Sequence, residues 1–266
     1  MFDSITLGQY YQTDSLLHRL DPRVKLVGTF VYLISLFVVD SFVGYLLAGL
    51  FLAAMIFLSN VPFRYIVRGM KAIVFLLLIT VVFNLFLTPG EVIWQAGVFK
   101  ITREGLTFAV KMAVRLSLLI LGSSIMTLTT TPTQLTDALE SLLRPLKKVH
   151  VPVHEIAMMM SIALRFIPIL MEETDKIMKA QIARGADFES KNLIKKIKSM
   201  VPLLVPLFIS AFRRANDLAM AMEARCYRGG DGRTKMKPLV YKGSDRVAYL
   251  VLLAFFAVCI LTRIFF

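Results

Sequence analysis

The chain has 266 residues, is 57% hydrophobic with 20 Phe, and carries a mean hydropathy of +0.69 beside a formal net charge of +13. Such an apolar share exceeds what a soluble core uses, so the composition defines a polytopic membrane protein, and two cysteines, Cys226 and Cys259, exclude a disulfide framework. The positive charge does not indicate nucleic acid, because no aromatic and basic residues interleave on an exposed platform; next to apolar spans it records orientation and anionic lipid.

In chain order, Leu20-Asp21-Pro22-Arg23 closes a polar N-terminal stretch, with Asp21 placed as an N-cap and Pro22 at the first helical position. A first span is expected over Val24 to Val39, a tight turn at Asp40-Ser41, and a second span over Phe42 to Leu58. Arg64, Arg68 and Lys71 mark a short amphipathic connector on the side of Arg19, Arg23 and Lys25, which the positive-inside bias makes cytoplasmic. A third span follows at Ala72 to Leu87. Glu91 to Gln95 and Val98 to Thr102 flank Ala96-Gly97 and read as a small outer hairpin. The fourth span, Leu106 to Leu128, carries Lys111 and Arg115 on one face. Arg115 sits about ten residues in, roughly 15 Å, where a guanidinium needs a partner. That partner is another membrane subunit, an internal polar network, or the headgroups reached along the helix.

The grammar then changes. Thr131-Pro132-Thr133-Gln134 is a capping box with proline at N1, opening an amphipathic helix through Leu143 that Arg144-Pro145 stops. Lys147, Lys148, His150 and Val151-Pro152 form a basic bend, and His150 and His154 lack a ligand pattern such as His-Glu-x-x-His, so both read as surface histidines. A helix is expected from Val153 to Arg184, apolar from Ile156 to Met171, and a second apolar run covers Met200 to Phe212 with Pro202 and Pro206 inside it. These runs, about thirteen to sixteen residues, fall short of the roughly twenty needed to span. Exporting the link that holds Lys191, Lys195, Lys196 and Lys198 would also oppose the charge bias. The region Thr129 to Gly243, with nineteen of the thirty-one Lys and Arg, is therefore expected at the inner surface. A final span covers Asp245 to Phe265. The expected fold is an all-α polytopic membrane protein with about five transmembrane helices: a membrane domain over 1–128, an inner-side helical domain over 129–243 and a last transmembrane helix over 244–266, N-terminus inside and C-terminus outside.

Both inner-side runs end in nearly the same way, Ala180-Gln181-Ile182-Ala183-Arg184-Gly185 and Ala221-Met222-Glu223-Ala224-Arg225-Cys226. Small residues at i and i+3 leave a helix side bare for close approach, and the arginine offers a planar fork suited to a carboxylate. Ordinary C-terminal capping explains one such arginine, but a cap needs no alanines, and the repeat points to a pair of docking ends. No catalytic constellation accompanies them. Gly229 to Lys235 lacks the Lys-Ser/Thr end of a phosphate loop, paired acids occur only at Glu172-Glu173, and neither a nucleophile with its base nor a metal or cofactor motif stands out. Energy for vectorial work is expected from outside the chain. Met158, Met159, Met160, Met171, Met178, Met220 and Met222 serve either as helix-core filler or as an adaptable partner surface.

Over nearly its whole length the chain resembles the transmembrane T component of energy-coupling factor transporters, the prokaryotic importers of vitamins and metal ions. The resemblance rests on Leu20-Asp21-Pro22-Arg23 to Leu26, Thr127-Leu128-Thr129-Thr130 with Pro132, Leu164-Arg165-Phe166-Ile167-Pro168, and the two arginine ends. The family's two Ala-Arg-Gly motifs fall on Ala183, Arg184, Gly185 and on Ala224, Arg225, Cys226. Cys226 departs from the pattern, which puts a glycine-only backbone conformation in doubt there. The resemblance implies a non-catalytic scaffold in the cell membrane whose coupling helices dock through those arginines on two ABC-type ATPases. Its membrane part would hold a separate S component that binds the substrate. A stand-alone ion-coupled carrier working through Lys111 and Arg115 is the alternative; against it, no acid lies mid-span and no inverted repeat is apparent. A membrane-embedded enzyme would need acid or metal motifs that the sequence does not offer.

Overall fold

The computed structural model describes residues 10–265 except 72, 97, 98, 187, 189–192, 231, 233–235 and 237. Gly97 of the expected hairpin turn, Lys191 of the basic link and residues 233–235 of the glycine-rich turn thus lie outside the described residues. The elements are α1 (Leu16–Arg19), α2 (Pro22–Val38), α3 (Phe42–Ser59), α4 (Phe63–Lys71), α5 (Val74–Leu87), β1 (Val92–Ala96), β2 (Phe99–Thr102), α6 (Arg103–Thr129), α7 (Pro132–Leu143), a 3-10 helix (Arg144–Val149), α8 (Val153–Ala183), α9 (Leu193–Ala224) and α10 (Gly243–Phe265). The described residues divide into two compact units, one from Leu139 to Pro238 and one made of those before and after it.

Local chemistry starts and stops these helices where short-range signals stand. The Asp21 carboxylate accepts the Arg23 N–H at 3.0 Å with Pro22 behind it, as the sequence predicts for the start of α2. Ser41 accepts the Gly44 N–H to open α3, and Asn60, in the left-handed region at φ 52°, closes it. Thr131 and Gln134 exchange the two bonds of a capping box, Gln134 N–H to Thr131 Oγ1 at 3.3 Å and Thr131 N–H to Gln134 Oε1 at 3.1 Å. The small hairpin forms as β1 and β2, antiparallel, a minor addition to an otherwise helical fold.

In the larger unit α6 packs against α2, α3, α4 and α5, while α10 lies along α2 and α3. The core joins Tyr32 and Leu36 of α2, Tyr45, Ala48 and Leu52 of α3, Leu118 and Ile125 of α6, and Phe255 and Cys259 of α10. Its centre is an aromatic stack in which Phe51 and Phe255 lie 4.2 Å apart between centroids, with Tyr32 beside Phe255 at 6.0 Å. Gly122 permits this packing, because a Cβ there would run 2.5 Å from the Tyr32 ring.

Two buried charges tie the helix ends together. Lys25, counted from sequence as an orientation charge, is only 7% exposed, and its Nζ donates to the carbonyls of Thr129 at 2.9 Å and His18 at 3.2 Å. A cation is thereby placed on the last carbonyls of α6. Asp245 is 1% exposed and accepts the backbone N–H of Asp21 at 2.9 Å and of Lys242 at 2.7 Å, so one carboxylate serves the starts of both α2 and α10. Asp245→Ala would leave two backbone donors without this partner, and the Asp21 N–H among them is buried, worth about 1–3 kcal/mol. We expect a loss of about 1–3 kcal/mol, read as a lowered midpoint of thermal unfolding in detergent, with Asp245→Asn retaining part of it.

Four helices are long and apolar enough to cross a membrane: α3, α6, α8 and α10. This is not the set of five expected from sequence. The 17 residues of α2 and the 14 of α5 are short for a crossing of about twenty residues, whereas α8, 31 residues unbroken through Pro168, carries a longer apolar stretch than Ile156 to Met171 alone. The helix covers the charged stretch after Met171 as well, which agrees with the Val153 to Arg184 helix expected from sequence. An all-helical, multi-pass membrane fold holds on either count.

Candidate functional site

Both arginine ends belong to the smaller unit, at the termini of α8 and α9. These helices pack side by side and run in opposite directions, since Gln181 Nε2 donates to the Pro202 carbonyl at 3.3 Å, Arg214 pairs with Glu173 at 3.2 Å, and Met158 and Met222 line one cavity. Residues late in α8 thus meet residues early in α9, and the reverse. The Arg225 end lies beside the start of α8 and the Arg184 end at its finish. Helical rise over Met158 to Ala183 puts about 40 Å between them. Sequence gives the two ends but not this separation, because the sense of packing is set by pairs that stand far apart in the chain, Gln181 with Pro202 and Glu173 with Arg214 among them.

The two ends close in the same way. Gly185 N–H donates to the Ile182 carbonyl at 2.9 Å and Ala186 N–H to Gln181 at 3.0 Å; Cys226 N–H donates to Glu223 at 2.8 Å and Tyr227 N–H to Met222 at 3.0 Å. Each pair of bonds is a Schellman closure, which needs a left-handed residue just past the arginine. Gly185 has φ 89° and Cys226 φ 53°, so the cysteine adopts the same turn as the glycine it replaces in the motif. A side chain in that region costs about 1 kcal/mol. Cys226→Gly should therefore raise the thermal midpoint slightly, while Cys226→Val should lower it; thermal unfolding of the purified chain reads both signs.

Around these turns Ala180, Ala183, Ala221 and Ala224 are exposed, as are Arg184 and Arg225. Among the described residues neither arginine has an ion-pair partner. The environments differ behind them. Space beyond Gly185 is open, since a Cβ there would meet nothing within 4 Å. The Arg225 end backs on a cavity of about 500 Å³ lined by Met158, Ile162, Leu218, Met222, Arg225 and Cys226. His154, expected at the surface, is partly buried there: its Nδ1 lies 2.9 Å from Glu140 Oε1, and its Nε2 is 3.5 Å from the Tyr227 hydroxyl. Gly230 passes so close to that ring that a Cβ would overlap it. Sequence reading missed this brace because Glu140 stands on a different helix.

In the larger unit, Arg115 meets the α2–α3 turn. Its Nη2 donates to the Val39 carbonyl and to Asp40 Oδ1, both at 3.0 Å, with the Tyr45 and Phe37 rings 5.7 and 5.8 Å from the guanidinium. Lys111 Nζ lies 5.5 Å from the Phe42 ring. Of the partners open to Arg115, this geometry supplies the internal network, and Asp40 is its acid. Among the described residues no three His, Cys, Asp or Glu side chains converge as metal ligands.

A helical multi-pass membrane protein whose exposed chemistry is two arginine-bearing helix ends is a transport subunit by its relatives. The family model described as cobalt transport protein matches residues 13–236. The energy-coupling factor transporter transmembrane protein EcfT of Clostridium kluyveri is 56% identical over 269 residues, covering 99% of this chain and 98% of that protein. Its counterpart in Ruminiclostridium cellulolyticum is 55% identical over 245 residues and 92% of each chain, and that of Bacillus subtilis 49% over 257 residues, 96% of this chain and 97% of the relative. The chain belongs to the EcfT family, the transmembrane component of energy-coupling factor transporters.

Proposed function

We propose that this chain is the non-catalytic scaffold that couples two ABC-type ATPases to a membrane S component, which binds a vitamin or related micronutrient. The observation that carries the reading is the pair of like-built arginine ends about 40 Å apart. Ends so far apart do not fit one groove, so each takes its own ATPase, with Ala183, Arg184 and Gly185 in one and Ala224, Arg225 and Cys226 in the other. The short side chains of the alanines let each groove close on the helix, and the exposed guanidinium meets an acid inside it. Antiparallel packing of α8 and α9 then links the two ATPases through one rigid pair, held by Arg214–Glu173 and Gln181–Pro202.

In this reading 129–243 is the cytoplasmic coupling domain, 1–128 and 244–266 form the membrane part, and the N-terminus lies inside with the C-terminus outside. Although α8 is long enough to cross, the lysines that follow it favour an inner position. Lys111 remains a candidate contact for the S component, and Arg115 acts through Asp40 to fix the neighbouring turn. Affinity purification of the tagged chain from native membranes is expected to bring two ABC-type ATPases and a small membrane protein, with ATP hydrolysis absent from the isolated chain. Substrate uptake into liposomes by the chain alone would replace this reading with that of a carrier.

A further inference from the structure

The Arg225 end has a second hold besides its closing turn, and it comes from the start of α8. His154 stands in the first turn of that helix beside Val153 and Ala157, which are both buried, so its ring projects from backbone that packing fixes. One edge of the ring is tied to α7, where Nδ1 lies 2.9 Å from Glu140 Oε1. A carboxylate there makes Nδ1 the donor and leaves Nε2 of the neutral ring as an acceptor, 3.5 Å from the Tyr227 hydroxyl. Met158, one turn further along the same face of α8, lines the cavity behind Arg225.

The chain that leaves α9 is built to reach this ring. Gly229, at φ 93°, turns the backbone in the left-handed region, and Gly230 then passes so close that a Cβ would overlap the ring at Cδ2 and Cγ. Gly230 is not itself left-handed, so it is glycine for space and not for conformation. Arg225 therefore sits between two fixed points, the Schellman closure at Cys226 and Tyr227 and the ring contact at Gly230. We propose that His154 is a positioning residue for this end, holding Tyr227 and Gly230 against α8 so that Arg225 enters its ATPase groove from an ordered turn. A pull on the arginine then passes into α8 instead of unwinding the end of α9. The assignment rests on the docking role proposed above. Helix ends open more readily than helix interiors, and an end that must be ordered on binding gives up affinity to that ordering. Ordering a single backbone residue is worth about tenfold in affinity.

The test titrates the ATPases on one end at a time, using the full chain with Arg184→Ala, which keeps the Arg225 end, and with Arg225→Ala, which keeps the Arg184 end. Adding His154→Ala should weaken binding about tenfold in the first chain and less than about twofold in the second. A general loss of fold would weaken both. His154→Gln, whose amide can donate to Glu140 and accept from Tyr227, should recover most of the affinity. Gly230→Ala, which presses on the ring from the other side, should repeat the loss and serves if His154→Ala fails to insert. Equal weakening at both ends, or none at the Arg225 end, overturns the assignment. A readout independent of docking is the distance between nitroxides at Lys176→Cys and Arg228→Cys, in a background lacking Cys226 and Cys259. Helical rise from Met158 to Lys176 puts them about 27 Å apart, within range of double electron–electron resonance. The distance distribution should be narrow, broaden at least about twofold with His154→Ala, and stay narrow with His154→Gln. An unchanged width overturns the brace even where docking stands. Failure of the docking role leaves the broadening in place and appears instead as ATPase retained by the double arginine variant.

Discussion

Arg184→Ala combined with Arg225→Ala is expected to abolish substrate uptake and release both ATPases from the membrane, while each change alone weakens uptake and retains one ATPase. The magnitude follows from the chemistry of a desolvated interfacial charge. Truncating one partner of such a pair costs about 2–5 kcal/mol, much of it from the acid left buried alone. Two docking sites about 40 Å apart act in parallel, so losing one still leaves the other, and losing both removes the connection. Both arginines are exposed and lie outside the packed interior, so neither substitution should impair insertion or folding. Pull-down of the ATPases and uptake in membranes with normal amounts of the chain measure the effect. Full ATPase retention by the double variant would show that the arginine ends are not the docking sites.

The second large effect is topological. Lys196→Cys and Ala96→Cys, each made in a background lacking Cys226 and Cys259, should respond oppositely to an impermeant thiol reagent on intact cells: position 96 labels and position 196 does not. The expectation for position 96 follows from the hairpin that joins α5 to α6, which the proposed orientation puts outside, and that for position 196 from the basic link between α8 and α9. The structure makes this experiment decisive, because α8 qualifies by length as a span. Labelling at position 196 in sealed cells would mean that α8 crosses. One arginine end would then lose its route to a soluble ATPase.

What could be read in advance, and what could not, divides by range. The Asp21-Pro22 start of α2, the Thr131–Gln134 box and the two arginine closures depend on residues within six positions, and sequence alone places them. Cys226 shows the limit of even this short range: a motif that expects glycine gave no means of telling that cysteine would accept φ 53°, which the closure imposes from both sides. Lys25 and Asp245 were unreadable for a different reason. Their partners, the Thr129 carbonyl and the Asp21 N–H, stand 104 and 224 residues away, and backbone groups carry no side-chain signature. Charge statistics counted Lys25 only as a marker of the cytoplasmic side, which says nothing of its burial. His154 with Glu140 and Arg115 with Asp40 were hidden likewise, each pair joining different helices or turns. Pro202 and Pro206 gave no warning of a single 32-residue α9 through both, since the partner helix supports what propensity disfavours.

Two antiparallel helices with the same closing turn at opposite tips have an approximate twofold axis across their middle, although the chain has no sequence symmetry elsewhere. A half-turn about that axis carries the Arg184 tip onto the Arg225 tip. The natural complement is a pair of like-folded proteins related by their own twofold, each offering the same groove, so that one asymmetric subunit can sit on a symmetric dimer. The fit depends on length as much as on chemistry. Inserting one helical turn into α8 would move the tips apart by about 5.4 Å and swing the remainder around the helix axis only slightly. Each arginine would keep its groove in isolation, yet both could no longer be seated on one dimer at once.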